Sequence, residues 1–490
     1  MTRCSAVRLF IISLLLLASD SIPSHAADPT MSLDDCIALA VKQNRTIKNA
    51  YLDRVVQRYT LRMAEEKFIP TLTITPAITG TGTVPALGSS SAASASTTTT
   101  TSAVTTNASE KLPTGATLTL NGTYGISSTE QSSPTRAYGW NASLTQPLLK
   151  GGGLDVNLAS VRQARLTEQS NILSLKTTIT STVTDVVSAY RSYVQAIKSL
   201  EITRQSLERS RELVATNREL IAAGRMAAIE IVQSEADLAN REFSLLSAEN
   251  QVDAARLALT KAIDIDKNSR LAPVPETDIP QVPYSHEQAK RLAFENRPDY
   301  LQTLLNYENT KIQLMLAKNG TLWDLSLTGS YGEDYTRSAA AGPVSSNGIW
   351  TAGLTLTIPF DNLYRASTER SAYIAADIAL KKFENDLARQ RENIEIEVQD
   401  ALRNAEMNYR QIRLATLART LSEKKVEIET EKLKAGRSTN FQLVSYQNDL
   451  VSAQNNELAA IITYLNALTT LESKLGITLE RRGITLSERK

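Results

Sequence analysis

Catalysis needs nucleophiles, acids, bases or metal ligands that converge, and this chain is poor in them. Its 490 residues hold two histidines, His25 and His286, and two cysteines, Cys4 and Cys36. A Ser-His-Asp triad or a His/Cys metal centre therefore has almost no material to draw on. Gly151-Gly152-Gly153 lacks the Gly-x-Gly-x-x-Gly spacing of a dinucleotide site, and no Gly-x-x-x-x-Gly-Lys-Ser/Thr run exists. The triple glycine reads as a strand-to-helix elbow. Acidic residues are numerous on helix-like stretches, as solvated faces require. The expectation is a chain that is no enzyme and has no catalytic, cofactor or metal site.

Bulk charge excludes another class. Lys plus Arg is 53 against 52 for Asp plus Glu, a net charge of +1. Nothing here attracts nucleic acid in general. Residues 1–26 read as a secretory signal peptide. Arg3 and Arg8 precede an apolar run from Leu9 to Ala18, and Ser24-His25-Ala26 supplies small residues for cleavage. Cys4 and His25 would leave with it, so Cys36 stands alone as a small apolar residue on a helix face. No later stretch has about 18 consecutive uncharged apolar residues. If the chain enters a membrane, it must do so as a closed barrel.

The chain is a duplication. Leu144-Thr145-Gln146-Pro147 matches Leu356-Thr357-Ile358-Pro359, and Ala223-Gly224-Arg225 matches Ala435-Gly436-Arg437. Asp237-Leu238 matches Asp449-Leu450, and Leu259 matches Leu471, all at one offset of 212 residues. The openings match too: Leu39-Ala40-Val41-Lys42-Gln43-Asn44-Arg45 against Leu292-Ala293-Phe294-Glu295-Asn296-Arg297. Asn44 to Pro147 spans 103 residues and Asn296 to Pro359 spans 63, so the first copy carries 40 extra residues within 71–137. That insertion includes Ser89 to Ser109, nearly all Ser, Ala and Thr, which reads as a flexible loop. Pro273, Pro275, Pro280 and Pro283 mark 267–285 as a linker between repeat 1 (27–266) and repeat 2 (286–490).

Apolar spacing assigns the elements. Val183, Val187, Tyr190, Val194 and Ile197 alternate steps of four and three, and Val398, Leu402, Ala405, Tyr409 and Ile412 repeat the pattern. This predicts long helices over 154–222 and 361–435, with shorter ones near 33–67, 227–264, 286–319 and 438–475 and a short tail. A 69-residue helix is about 100 Å long, and two short helices stacked end to end match it. Such a stripe is a coiled-coil seam or a plain bundle contact. Period-two alternation predicts strands around Leu72, Tyr138–Leu144, Leu325–Tyr331 and Trp350–Ile358, with Thr117–Tyr124 as a further candidate. One face is apolar and the other carries Thr, Ser, Asn and Gly. Tyr138, Trp140, Trp323, Tyr331 and Trp350 accompany the strands, as interfacial aromatics of an outer-membrane barrel would. Four clear strands cannot close a barrel, so the chain must self-associate.

The duplicated Leu-Ala-x-x-x-Asn opening, the strand ending in Leu144–Gly152, its echo Leu354–Asp361 and the paired Ala-Gly-Arg turns together resemble the TolC-type outer-membrane factors, over nearly all of the mature chain. The resemblance implies an α+β membrane protein: a homotrimer with a 12-stranded barrel, about four strands per protomer, continuous with a periplasmic α-helical tunnel. It implies an exit duct for efflux or type I secretion that contacts outer-membrane lipid and docks onto a periplasmic membrane-fusion adaptor and an inner-membrane transporter. Gly224, Arg225, Gly436 and Arg437 would then lie at the docking tip, although exposed arginines are often only solvated. Positions matching the family's tunnel constriction are Glu230, Gln442 and Ser445. With no aspartate ring, three Glu230 carboxylates would give weak cation selectivity; Glu230 reads equally well as a surface helix residue. The competing readings are a periplasmic coiled-coil scaffold without a pore and an envelope glycan- or peptide-processing enzyme.

Overall fold

The computed structural model describes residues 30–83, 97–130, 132–269, 271–276, 278–338, 344–360 and 367–484. The expected signal peptide and residues 84–96 of the Ser/Thr-rich stretch lie outside them. Among the described residues, eight substantial helices dominate. In repeat 1 these are α1 (Leu33–Gln43), α2 (Arg45–Glu65), α3 (Ala159–Ala222) and α4 (Glu230–Ile263). In repeat 2 they are α5 (His286–Asn296), α6 (Pro298–Gly320), α7 (Thr368–Lys434) and α8 (Asn440–Leu475). The 64 residues of α3 and 67 of α7 make rods of about 96 and 100 Å.

Both short stacks open with a break that the apolar pattern does not announce. The helix expected over 33–67 is interrupted at Asn44, whose side chain accepts from the Thr46 amide at 2.8 Å and donates to the Ala262 carbonyl at 2.9 Å. It caps α2 and ties it to α4 at once. In repeat 2 the break falls at Arg297, with Pro298 at the first helical position.

Each repeat has its own apolar core where its short helices meet its long one. In the first, Cys36, Ile37 and Ala40 pack on Val183, Val186 and Tyr190, closed by Leu259 and Ile263. In the second, Ala289 and Ala293 pack on Ile394, Val398 and Leu402, closed by Leu471 and Leu475. The connecting stretch is pinned rather than loose. Ala272–Pro273 pairs in parallel with Thr30–Met31, and the buried Tyr190 hydroxyl donates to Val274 at 2.6 Å.

The strands correct the expected count. Among the described residues six strands, not four, form one sheet: β1 (Thr71–Thr83), β2 (Thr97–Lys111), β3 (Thr117–Thr129), β4 (Ser132–Pro147), β5 (Asp324–Ser338) and β6 (Ser345–Thr357). They lie in sequence order, every neighbour antiparallel. Much of the stretch read as a flexible loop is therefore β2. Its threonines favour extended backbone, and its register fits both neighbours from end to end.

Candidate functional site

The sheet has two chemically distinct faces. Cross-strand register places Leu72, Val104, Leu120, Trp140, Tyr331 and Trp350 on one face. The opposite face carries Thr, Ser and Asn, joined across strands. Thr99 and Thr129 hydroxyls lie 3.0 Å apart, Ser330 and Thr351 2.6 Å apart, and Asn107 donates to Asn121. One face fits lipid and the other water, which is the pattern of a membrane wall.

The aromatic residues cluster on the apolar face. Tyr138 stacks on Tyr335 at 5.0 Å, and Trp140 meets Tyr331 edge to face at 5.4 Å. Trp350 stands opposite Tyr331 and is 75% exposed. Trp323 lies apart, just before β5 at the helix end of the sheet, where its carbonyl accepts from the Lys150 amide. Eight residues of strand separate Trp323 from Tyr331, roughly 27 Å. The spacing suits two girdles flanking an apolar band. One group escaped the sequence reading: the Glu333 carboxylate accepts from the Tyr331 and Tyr335 hydroxyls at 2.6 and 2.5 Å on this same face.

The helices form a wall whose two margins are unpartnered. Beside the sheet the packing order is α2, α3, α6, α7; at the far end it is α4, α3, α8, α7. One margin is thus α2 with α4, the other α7. On α2, Leu52, Val55, Val56, Tyr59 and Met63 form an apolar stripe on the side away from α3, each more than half exposed. On α4, Phe243 and Leu246 are 75% and 67% exposed and fall in one heptad frame with Ile229, Val232 and Leu257. On α7, Met407, Leu414, Leu421 and Ile428 recur every seven residues, all exposed, with Leu417 in the second heptad position. The heptad spacing of these two seams is present in the sequence, but only the packing shows that they stay uncovered while the 3,4 stripes on the same helices are buried.

The expected tip residues come together at the end remote from the sheet. Gly224 and Gly436 have φ of 72° and 69°, left-handed values that glycine tolerates best. Each closes its helix in the same way: the Arg225 amide donates to Leu220 and the Arg437 amide to Lys432, both at 2.8 Å. Both arginine side chains are exposed. Buried polar pairs fix the first hairpin, with Ser210 donating to Asp237 at 2.8 Å and Asn217 to Ser234 at 3.1 Å. The buried Asn440 amide reaches the Glu230 carbonyl and Met226 sulfur, both at 3.5 Å, so the two tips touch. Between them lies a cleft of about 430 Å³ lined by Arg225, Glu230, Gly436 and Asn440. Gln442 contributes its amide to the Thr439 cap of α8, and Ser445 follows three residues later on the same helix, half-buried. Neither enters that cleft lining.

Among the described residues, no three His, Cys, Asp or Glu side chains gather to hold a metal, and no helix is long and apolar enough to cross a membrane.

Solved structures share this architecture. CusC superposes with a TM-score of 0.68 at 13% identity, covering 91% of this chain and 92% of its own. The Campylobacter jejuni CmeC outer membrane channel gives 0.65 at 16% identity, covering 91% and 86%. The open state of the Neisseria gonorrhoeae MtrE outer membrane channel gives 0.64 at 16%, covering 93% and 91%. Among curated proteins, no sequence matches. The sequence profile described as outer membrane efflux protein matches residues 36–264 and 290–477, one segment per repeat. Together the two segments take in well over half of the sequence, and the chain belongs to the outer membrane efflux protein family.

Proposed function

We propose that three copies of this chain close into a passive exit duct, a barrel in the outer membrane continuous with a helical tube in the periplasm. The observation that carries this reading is the pair of complementary margins on one wall. One margin offers strand edge β1 and the apolar seams of α2 and α4; the other offers strand edge β6 and the heptad seam of α7. Unpaired strand edges are not tolerated in lipid. Two unlike margins join head to tail, and such contacts close into a ring when the rotation allows it. The purified protein should conduct ions across a planar lipid bilayer. Persistent absence of conductance, with the protein in the soluble fraction, favours the poreless scaffold instead.

The two hairpin tips are the docking end for a periplasmic adaptor and, through it, an inner-membrane transporter that supplies the energy. Gly224 and Gly436 shape the tip, and Arg225 and Arg437 are its exposed cations. Crosslinking through Arg437→Cys, followed by purification, should recover an adaptor; recovery of none would remove the arginines from this role. Glu230, Gln442 and Ser445 are the constriction candidates. Glu230→Gln should lower cation preference modestly, and an unchanged reversal potential would make Glu230 a plain surface residue. Tyr138, Trp140, Trp323, Tyr331 and Trp350 anchor the barrel at the two lipid interfaces. The duct performs no chemistry on its cargo.

A further inference from the structure

We infer that Arg136 and Arg337 form a binding site, on the outside of the sheet, for the phosphate headgroup of a lipid in the outer leaflet. The inference goes beyond the duct and rests on the sheet lying in the outer membrane with its helix end inward. Both residues belong to one chain, so the site does not depend on the number of copies.

The register carries the argument. Arg136 on β4 stands directly opposite Arg337 on β5. Every second residue of a strand shares a face, so both fall on the apolar face with Tyr138 and Tyr335. Side chains so placed have Cβ atoms about 4.5–5.5 Å apart, and like charges directly opposite repel. Both arginines are exposed.

The acids of the described sheet do not answer them. Glu333 is four residues away along β5, where it accepts from the Tyr331 and Tyr335 hydroxyls. Asp324 and Asp334 fall on the polar face. Glu110 lies at the helix end of β2. Glu130 lies in the turn beyond Ser132, which is four residues of strand from Arg136, about 13 Å. Two cations side by side on the dry face of a membrane wall are stabilised by an anion that the membrane itself supplies.

The neighbouring rows fix the depth. One step inward, Tyr124, Tyr138 and Tyr335 lie abreast on β3, β4 and β5, a girdle of the kind that marks a lipid interface. Fourteen residues separate Trp323, at the helix end, from Arg337. That is about 46 Å of strand, or about 35 Å across the membrane at a tilt near 40°. The apolar band of such a wall is about 25 Å tall, so the arginines clear it and enter the headgroup layer.

Phosphate suits them chemically. A guanidinium presents a planar fork that binds phosphate oxygens in pairs, and two forks this close hold one phosphate between them. Ile126 stands beside Arg136 on the same face, and Leu120 and Trp140 lie further in. Those apolar neighbours give acyl chains a surface, which selects a lipid over a free phosphate ion.

Native mass spectrometry of the detergent-extracted protein tests the site, with lipid A, a glycolipid carrying two phosphates, as the probe. The parent chain should retain lipid A in excess inorganic phosphate and should not retain lipid A stripped of its phosphates. Arg136→Gln with Arg337→Gln should weaken retention roughly 100-fold, about tenfold for each guanidinium. Arg136→Glu guards against a folding defect, because it pairs with Arg337 across the register. It should lose lipid A and still withstand heating in lipid-free detergent at least as well as the parent. Equal retention by the parent and Arg136→Glu would overturn the inference while leaving the sheet in the membrane. Equal retention of the stripped lipid, or displacement of lipid A by inorganic phosphate, would overturn it as well. A parent chain recovered from the aqueous fraction with no bound lipid would overturn both the site and the membrane placement.

Discussion

Shaving the exposed seam of α7 should loosen the assembly by an amount that follows from its exposure. In the single chain Leu414 is 62% and Leu421 56% exposed, one heptad apart. Each Leu→Ala change removes three carbons, worth about 2.4 kcal/mol if fully buried by a neighbour at about 0.8 kcal/mol per group. Only the part now exposed is gained on association, so each contributes about 1.4 kcal/mol. Leu414→Ala with Leu421→Ala should thus cost about 3 kcal/mol at every chain–chain seam, roughly a 100-fold weakening of each contact. The fold of the single chain should be spared, because neither side chain lies in its core. Dissociation in mild detergent, followed by native mass spectrometry, reads the effect. Glu427→Ala, exposed on the same helix beside the seam but outside its apolar positions, should shift it by less than about 0.5 kcal/mol. A double variant that dissociates like the Glu427→Ala control would show that α7 faces no sister chain there.

Gly436→Ala should destabilise the second tip by about 1–2 kcal/mol. Its φ is left-handed and open space surrounds the position, so the cost is conformational and should appear as faster amide exchange over 430–445. Burial pushes the Cys36 thiol up to about 11; the native protein should resist maleimide at pH 8 and react fully once unfolded. The Ser438 hydroxyl at 2.5 Å and Lys432 at 3.1 Å hold the Glu429 carboxyl below its usual range. A lowered carboxyl pKa gives stability that is present above the unfolded value and lost as pH falls through the folded one. Protection of the second tip from amide exchange, corrected for the intrinsic rate at each pH, should therefore fall below about pH 4.5 in the native chain, and Glu429→Gln should flatten that dependence.

The duplication, the long helices and the paired Gly-Arg turns were legible because each writes a strong local signal. A 3,4 stripe needs one buried face, and a left-handed turn needs glycine. β2 was not legible for the opposite reason. Its outward positions include Ser102, Thr106 and Ala108 beside Val104, so apolar and polar positions hardly differ and period two disappears. Only its pairing with β1 and β3 supplies the contrast. The break at Asn44 hid similarly, since no glycine or proline marks it and Ala262, which holds its side chain amide, is remote in sequence. Pro298 marks the matching break in repeat 2, but the helical pattern on either side of it reads as one helix over 286–319. Among the site candidates, the tip glycines and the aromatics were visible from type and spacing. The exposed seams on α4 and α7 became apparent only once packing showed which stripes the chain leaves uncovered.

On the function proposed above, this wall is completed by its own copies in the outer membrane. Native mass spectrometry of the protein extracted from isolated outer membranes tests it most directly. A single species of three times the chain mass is the predicted result. A folded single chain recovered from the aqueous fraction, stable without detergent, would contradict it.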